Sequence, residues 1–142
     1  MKISSRNQFE GRITALKSGP INAEVELTTG GGDKIVAVIT QNSVETLELA
    51  VGKPAVALIK APWVMILADD GKFMFSARNR LTGTVTRLVK GAVNAEVVLK
   101  LPGGSDVYSI ITNDAALELG LKEGGKATAL FKASSVVLGI SK

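Results

Sequence analysis

The sequence predicts an all-β chain built as two tandem five-stranded barrels, each carrying one short helix. Three observations lead there. Shifting the chain against itself by 72 residues gives a register without gaps, in which about 25 of 70 aligned pairs are identical. Within each repeat, short runs alternating apolar and polar residues are separated by Gly, Pro and Asn turn signals. One helix-like piece recurs at the same place in both halves. The period is longer than that of ordinary solenoid units, so the repeat is a duplicated domain, 1–70 and 71–142.

In the first repeat, residues 9–17 alternate through Ile13, Ala15 and partly Leu16, and Gly19-Pro20 marks a turn. Residues 23–27 form a period-2 strand, and Gly30-Gly31-Gly32-Asp33 reads as a hairpin loop before a strand at 34–39. A helix over 42–49 follows, with Thr40 and Asn42 as candidate N-caps. Strands at 55–60 and 64–67 complete the repeat, and Asp69-Asp70-Gly71 supplies the linker turn. The second repeat follows the same plan, with strands at 82–88, 94–99, 106–111, 127–132 and 136–140 and a helix near 114–119. Five strands with a helix between the third and fourth match the layout of an OB-like Greek-key barrel. A domain near 70 residues is marginal alone, which favours fusion and oligomerisation.

Composition removes several chemistries. The chain has no cysteine and no histidine, so disulfides, thiolate metal sites and the commonest general base are absent. No metal ligand, cofactor or catalytic residue is expected, and the chain reads as a non-enzyme. The first residues lack an apolar signal segment, and residues 63–68 are too short to span a bilayer, so no membrane partner and a cytoplasmic location are expected. The net charge of +4 divides unevenly, −1 in residues 1–70 and +5 in residues 71–142. A mild positive balance suits an anionic partner, either a nucleic acid or a small oxyanion.

The polar residues retained in both repeats include Ser4/Ser76, Arg6/Arg78, Asn7/Asn79, Asn22/Asn94, Glu24/Glu96, Thr40/Thr112 and Lys60/Lys132. Among them are donors with two fixed positive charges, which suit a tetrahedral dianion. Thr40 and Thr112 precede the helix, whose first N–H groups would add to an anion site. Each residue also has an ordinary structural reading. Thr40 and Asn42 serve as helix caps, Lys60 and Lys132 as solvated strand ends, and Arg6 and Arg78 as partners of surface glutamates. Asn22 and Asn94 suit turns, Glu24 and Glu96 read as outward strand residues, and the glycine loop does not precede a helix as a phosphate loop would.

The run Phe75-Ser76-Ala77-Arg78-Asn79, followed by Gly83, Gly91-Ala92-Val93-Asn94-Ala95-Glu96-Val97, Ile111-Thr112 and Lys132-Ala133, resembles the Mop domain. Because it covers the chain twice, the chain resembles a two-domain molbindin, a cytoplasmic binder of molybdate and tungstate. The resemblance implies OB-like barrels (Mop domains), a trimer, and oxyanions held between neighbouring domains. It implies a site of Ser4, Arg6, Thr40, Ser43, Lys60 and Ala61, with Ser76, Arg78, Thr112, Lys132 and Ala133 as the counterpart. A second site class is implied around Ile21, Asn22 and Ala23, and around Val93, Asn94 and Ala95. The repeats depart at five of these positions: Ser5 faces Ala77, Asn42 faces Asp114, Ser43 faces Ala115, and Pro62-Trp63 faces Ser134-Ser135. Two unequal sites are therefore expected.

The expected function is non-enzymatic oxyanion binding for intracellular molybdenum storage or homeostasis, without nucleic acid. The alternative is an OB-type single-stranded nucleic-acid binder, given an isoelectric point near 9.5. Such binders stack bases on aromatic residues, and none of the six aromatics here is shared by both repeats.

Overall fold

The computed structural model describes residues 1–68 and 71–142; of the expected linker turn, Asp69 and Asp70 lie outside the described residues and Gly71 has φ 74°. The first repeat runs β1 (Asn7–Ser18), β2 (Asn22–Thr29), β3 (Lys34–Thr40), α1 (Gln41–Thr46), β4 (Pro54–Ile59), a 3-10 turn (Ala61–Trp63) and β5 (Met65–Leu67). The second runs β6 (Asn79–Lys90), β7 (Asn94–Lys100), β8 (Asp106–Thr112), α2 (Asn113–Glu118), β9 (Lys126–Phe131), a 3-10 turn (Ala133–Ser135) and β10 (Val137–Gly139).

Alternation explains the strands. Ala23, Val25 and Leu27 on β2 and Ile35 and Ala37 on β3 all point into the core, with their neighbours outward. On β1 the alternation breaks at a bulge between Ile13 and Ala15. Ala15, expected inward, is exposed, and Leu16 takes the inward place, because one extra residue reverses the facing of all that follow. β6 carries the same bulge between Val85 and Arg87. The first helix is shorter than expected: Thr40 caps α1 by accepting from the Ser43 amide, and the helix ends at Thr46 rather than at 49, while α2 keeps the expected six residues one position earlier, at 113–118.

Two five-stranded sheets form, in the orders β10-β4-β1-β2-β3 and β5-β9-β6-β7-β8. This corrects one expectation. Each repeat keeps four strands and gives its fifth to the other. Val137 lies opposite Leu58 on β4, and Met65 lies opposite Leu130 on β9, both in antiparallel pairs. The sequence cannot reveal this, because β5 and β10 are equivalent segments of a duplication and either satisfies the same slot. Such an exchange links the repeats at little cost, since the pairing is the one each barrel would make by itself. The resulting core is continuous, joining Phe9, Ile13 and Val25 of one repeat to Val97, Phe131 and Leu138 of the other.

The repeats also meet at their hairpin loops. The Asp33 carboxylate accepts from the Gly103 amide at 2.9 Å and the Ser105 amide at 3.1 Å. A Cβ on Gly31 would stand 1.8 Å from the Gly103 carbonyl oxygen, so only glycine permits this approach. The loop expected to be a hairpin alone is also a joint.

Candidate functional site

The segments leading into β1 and β6 are held by their asparagines. Asn7, fully buried, donates from Nδ2 to the Tyr108 carbonyl at 2.8 Å and accepts at Oδ1 from the Tyr108 amide at 2.7 Å. Asn79 does the same with Val36, at 2.7 Å and 2.8 Å. Each side-chain amide thus imitates a strand peptide on the edge of the other repeat's β8 or β3, positions that are themselves equivalent. Ser5 is buried, its hydroxyl 3.0 Å from the carbonyls of Asn7 and Ile59.

With Asn7 and Asn79 turned inward, the residues before them turn outward. Arg6 donates from Nη1 and Nη2 to the Glu96 carboxylate at 2.7 Å and 3.3 Å, with its guanidinium carbon 4.8 Å from the Tyr108 ring centroid. Arg78 donates to Glu24 at 2.6 Å and 2.7 Å. The hydrogen bond from Arg78, opposed by desolvation and aided by the charges of Arg78 and Lys17, holds the Glu24 carboxyl below the usual carboxylate range. The same bond raises the Arg78 guanidinium. Both arginines therefore take the ion-paired role that the sequence left open.

Ser4 and Lys60 line one cleft of about 200 Å³, together with Ile3, Trp63, Ser135 and Val137. The Lys60 ammonium stands 5.7 Å from the centroid of the Trp63 ring. Ala61 is buried at the start of its 3-10 turn, as is Ala133 after the exposed Lys132, and Ser76 is exposed. Trp63 and Ser135 occupy equivalent positions, so Lys132 has no aromatic at the matching place.

Thr40 and Ser43 bond to each other: Oγ1 of Thr40 accepts from the Ser43 amide at 3.1 Å and donates to the Ser43 hydroxyl at 2.9 Å. Thr112 accepts from the Ala115 amide at 3.0 Å. In both repeats the threonine thus fills the cap role and takes up one of the free amides at the start of a six-residue helix. The structure gathers Ser4 and Lys60 in one cleft, sets Arg6 and Arg78 on glutamates, and makes Thr40 and Ser43 a separate polar pair.

The second expected class sits in two matching turns. Exposed Asn22 and Asn94 accept through their carbonyls from the amides of Gly19 and Gly91, at 2.9 Å and 2.7 Å. The carbonyls of exposed Ile21 and Val93 accept from the amides of Gln41 and Asn113 at 2.8 Å and 2.9 Å, tying each turn to the first helical residue. Ala23 and Ala95 are buried core. No group of His, Cys, Asp and Glu that could hold a metal ion occurs among the described residues.

Sequence reasoning missed the role of Glu24 and Glu96, read as outward strand residues, and of Asn7 and Asn79 as ties between repeats. Their retention in both halves was the available signal.

Comparison with known proteins adds to this geometry. The TOBE domain matches twice, over residues 3–66 and 76–138. The chain is 44% identical to the molybdenum transport protein ModE of Herbaspirillum seropedicae over 142 residues, all of this chain and 53% of that protein. It is 44% identical to the molybdenum-pterin-binding protein MopA of Rhodobacter capsulatus, over 97% of this chain and 52% of that one. The chain thus spans about half the length of these curated relatives. Among solved structures it is similar to the cytoplasmic molybdate-binding protein ModG with molybdate bound, at 53% identity and a TM-score of 0.95, covering 99% of this chain and 100% of that chain.

Proposed function

Starting from a chain that belongs to the TOBE-domain family through two tandem copies, we propose that it binds molybdate, and tungstate by the same chemistry, as an intact tetrahedral oxyanion. The carrying observation is the cleft that Ser4 and Lys60 both line, with Ser4 two residues along the chain from Arg6. A hydroxyl and an ammonium there supply donors without any acid–base machinery, which suits binding rather than catalysis. The likeness to ModG over the full chain supports the same ligand. The roles in this reading are storage or homeostasis of molybdenum in the cytoplasm. Among the described residues no helix is long and apolar enough to cross a membrane.

In this reading Ser4, Arg6, Lys60 and Ala61, and in the second repeat Ser76, Arg78, Lys132 and Ala133, form two related half-sites. Thr40 with Ser43, and Thr112, add their hydroxyls from a neighbouring domain in the trimer that the resemblance implies. The Asn22 and Asn94 turns, with Ile21, Ala23, Val93 and Ala95, are a second class near the threefold axis. Sulfate has the same charge and shape, so its rejection rests on pocket size. The nucleic-acid alternative gains little: Phe9 and Phe131 are buried and Tyr108 lies under Arg6. Although Trp63, Phe73 and Phe75 are exposed, none has an aromatic counterpart in the other repeat, so no duplicated stacking platform forms among the described residues.

Equilibrium dialysis of molybdate, tungstate and sulfate against the purified chain, with metal analysis, tests the reading. Molybdate retention at micromolar concentration is expected, and none would overturn it. Lys60→Ala with Lys132→Ala is expected to weaken uptake while circular dichroism stays unchanged.

A further inference from the structure

Both arginines of the half-sites already hold an anion, and it comes from the protein. The Arg78 donors sit at 2.6 Å and 2.7 Å from the two Glu24 oxygens, and the Arg6 donors at 2.7 Å and 3.3 Å from those of Glu96. In each case Nη1 and Nη2 together grip one carboxylate, using the forked donor pair best suited to two oxygens of a tetrahedral oxyanion. The pairs join opposite repeats, Arg6 to β7 and Arg78 to β2, and the arrangement is duplicated.

We propose that Glu24 and Glu96 are built-in competitors of the oxyanion, each occupying an arginine fork that ligand must take over. The proposal rests on the oxyanion reading above and names what sets affinity at that site. Exposure makes the exchange feasible: the arginine side chains are 54% and 48% accessible and their glutamates 36% and 21%. A carboxylate this accessible returns to water on release without the penalty of a buried charge. Glu24 also has a second cation, since Lys17 lies opposite it on β1. Glu96 lies opposite Val89 and Ile110 and has no such cross-strand partner. Arg6 keeps the face of Tyr108 when its carboxylate leaves, whereas Arg78 has Val36 at the matching position. The two latches are thus built alike and supported differently, which makes the half-sites unequal.

The experiment compares molybdate binding by the full chain and by Glu24→Gln, Glu96→Gln and the double variant, in equilibrium dialysis at constant salt. Glutamine keeps the shape and removes the charge that competes. Each single variant is expected to bind about fivefold tighter, the equivalent of the upper range for an exposed ion pair. Glu26→Gln is the control, because it removes the same charge two residues along β2 from a side chain that touches Thr14 and Lys34 but no arginine. Its affinity is expected to stay within twofold of wild type. Equal tightening by Glu26→Gln would overturn the proposal in favour of general charge. Unchanged or weaker binding by Glu24→Gln and Glu96→Gln would also overturn it, making the glutamates supports for the arginines. If one variant fails to fold, the other latch gives the answer independently. If wild type retains no molybdate, the oxyanion reading falls; retention gained by the double variant then supports competition, and none overturns it too.

Discussion

At the scale of single residues, the side chains nearest the motif divide their labour by direction. Asn7 and Asn79 turn inward and complete a strand edge, while Arg6 and Arg78 turn outward. Asn7→Ala removes two hydrogen bonds and strands the Tyr108 peptide, so it should cost about 2–3 kcal/mol, read from the urea midpoint. Glu24 yields a pH signature. Its folded carboxyl lies below the usual range, so the stabilisation from its pair is full above the unfolded value of about 4.3 and is lost as pH falls through the lowered folded value. The stability difference between wild type and Glu24→Gln should therefore be constant from about pH 8 to 5 and shrink below about pH 4, measured by denaturant unfolding across pH. The sequence could isolate these residues because duplication held them while their neighbours drifted. It could not assign their partners, since Arg6, just before β1, meets Glu96 on β7 only when the two sheets come together.

Elements show where local rules suffice and where they stop. Strand alternation on β2 and β3 was legible, as was a capped helix after the third strand. The bulge in β1 was not, because an extra residue in a strand carries no mark in an alternating run. The ends of α1 and α2 hold a further contrast. Glu48 follows the C-cap of α1 with φ 52°, and the equivalent Gly120 adopts φ 64°. In the first repeat a residue with a side chain is held left-handed, and the Lys53 ammonium compensates by donating to the carbonyls of Leu47 and Glu48 at 2.9 Å and 3.1 Å. Glu48→Gly is expected to stabilise the chain by up to about 1 kcal/mol, raising Tm by about 2–4 °C in calorimetry. The reverse change, Gly120→Glu, should lower Tm, because Gly125 stands where Lys53 would help.

For the whole molecule, the exchange of β5 and β10 makes one body of two repeats. Cutting the connection at a protease site engineered into residues 71–75 should leave two fragments that elute together from a sizing column and part only in denaturant. Separation under native conditions would contradict the exchanged sheets. The duplication was plain in the sequence and the exchange was not, for the physical reason that equivalent repeats offer each barrel two interchangeable closing strands. The same exchange also has a consequence for synthesis. Val137, the final partner of Leu58 on β4, is made only with the last strand of the second repeat, so during synthesis the equivalent β5 is the strand at hand for that edge and must later give it up to β10. The final closure depends on contacts distant along the chain, the kind that slow folding, and two nascent chains side by side on a polysome can make the same exchange with each other.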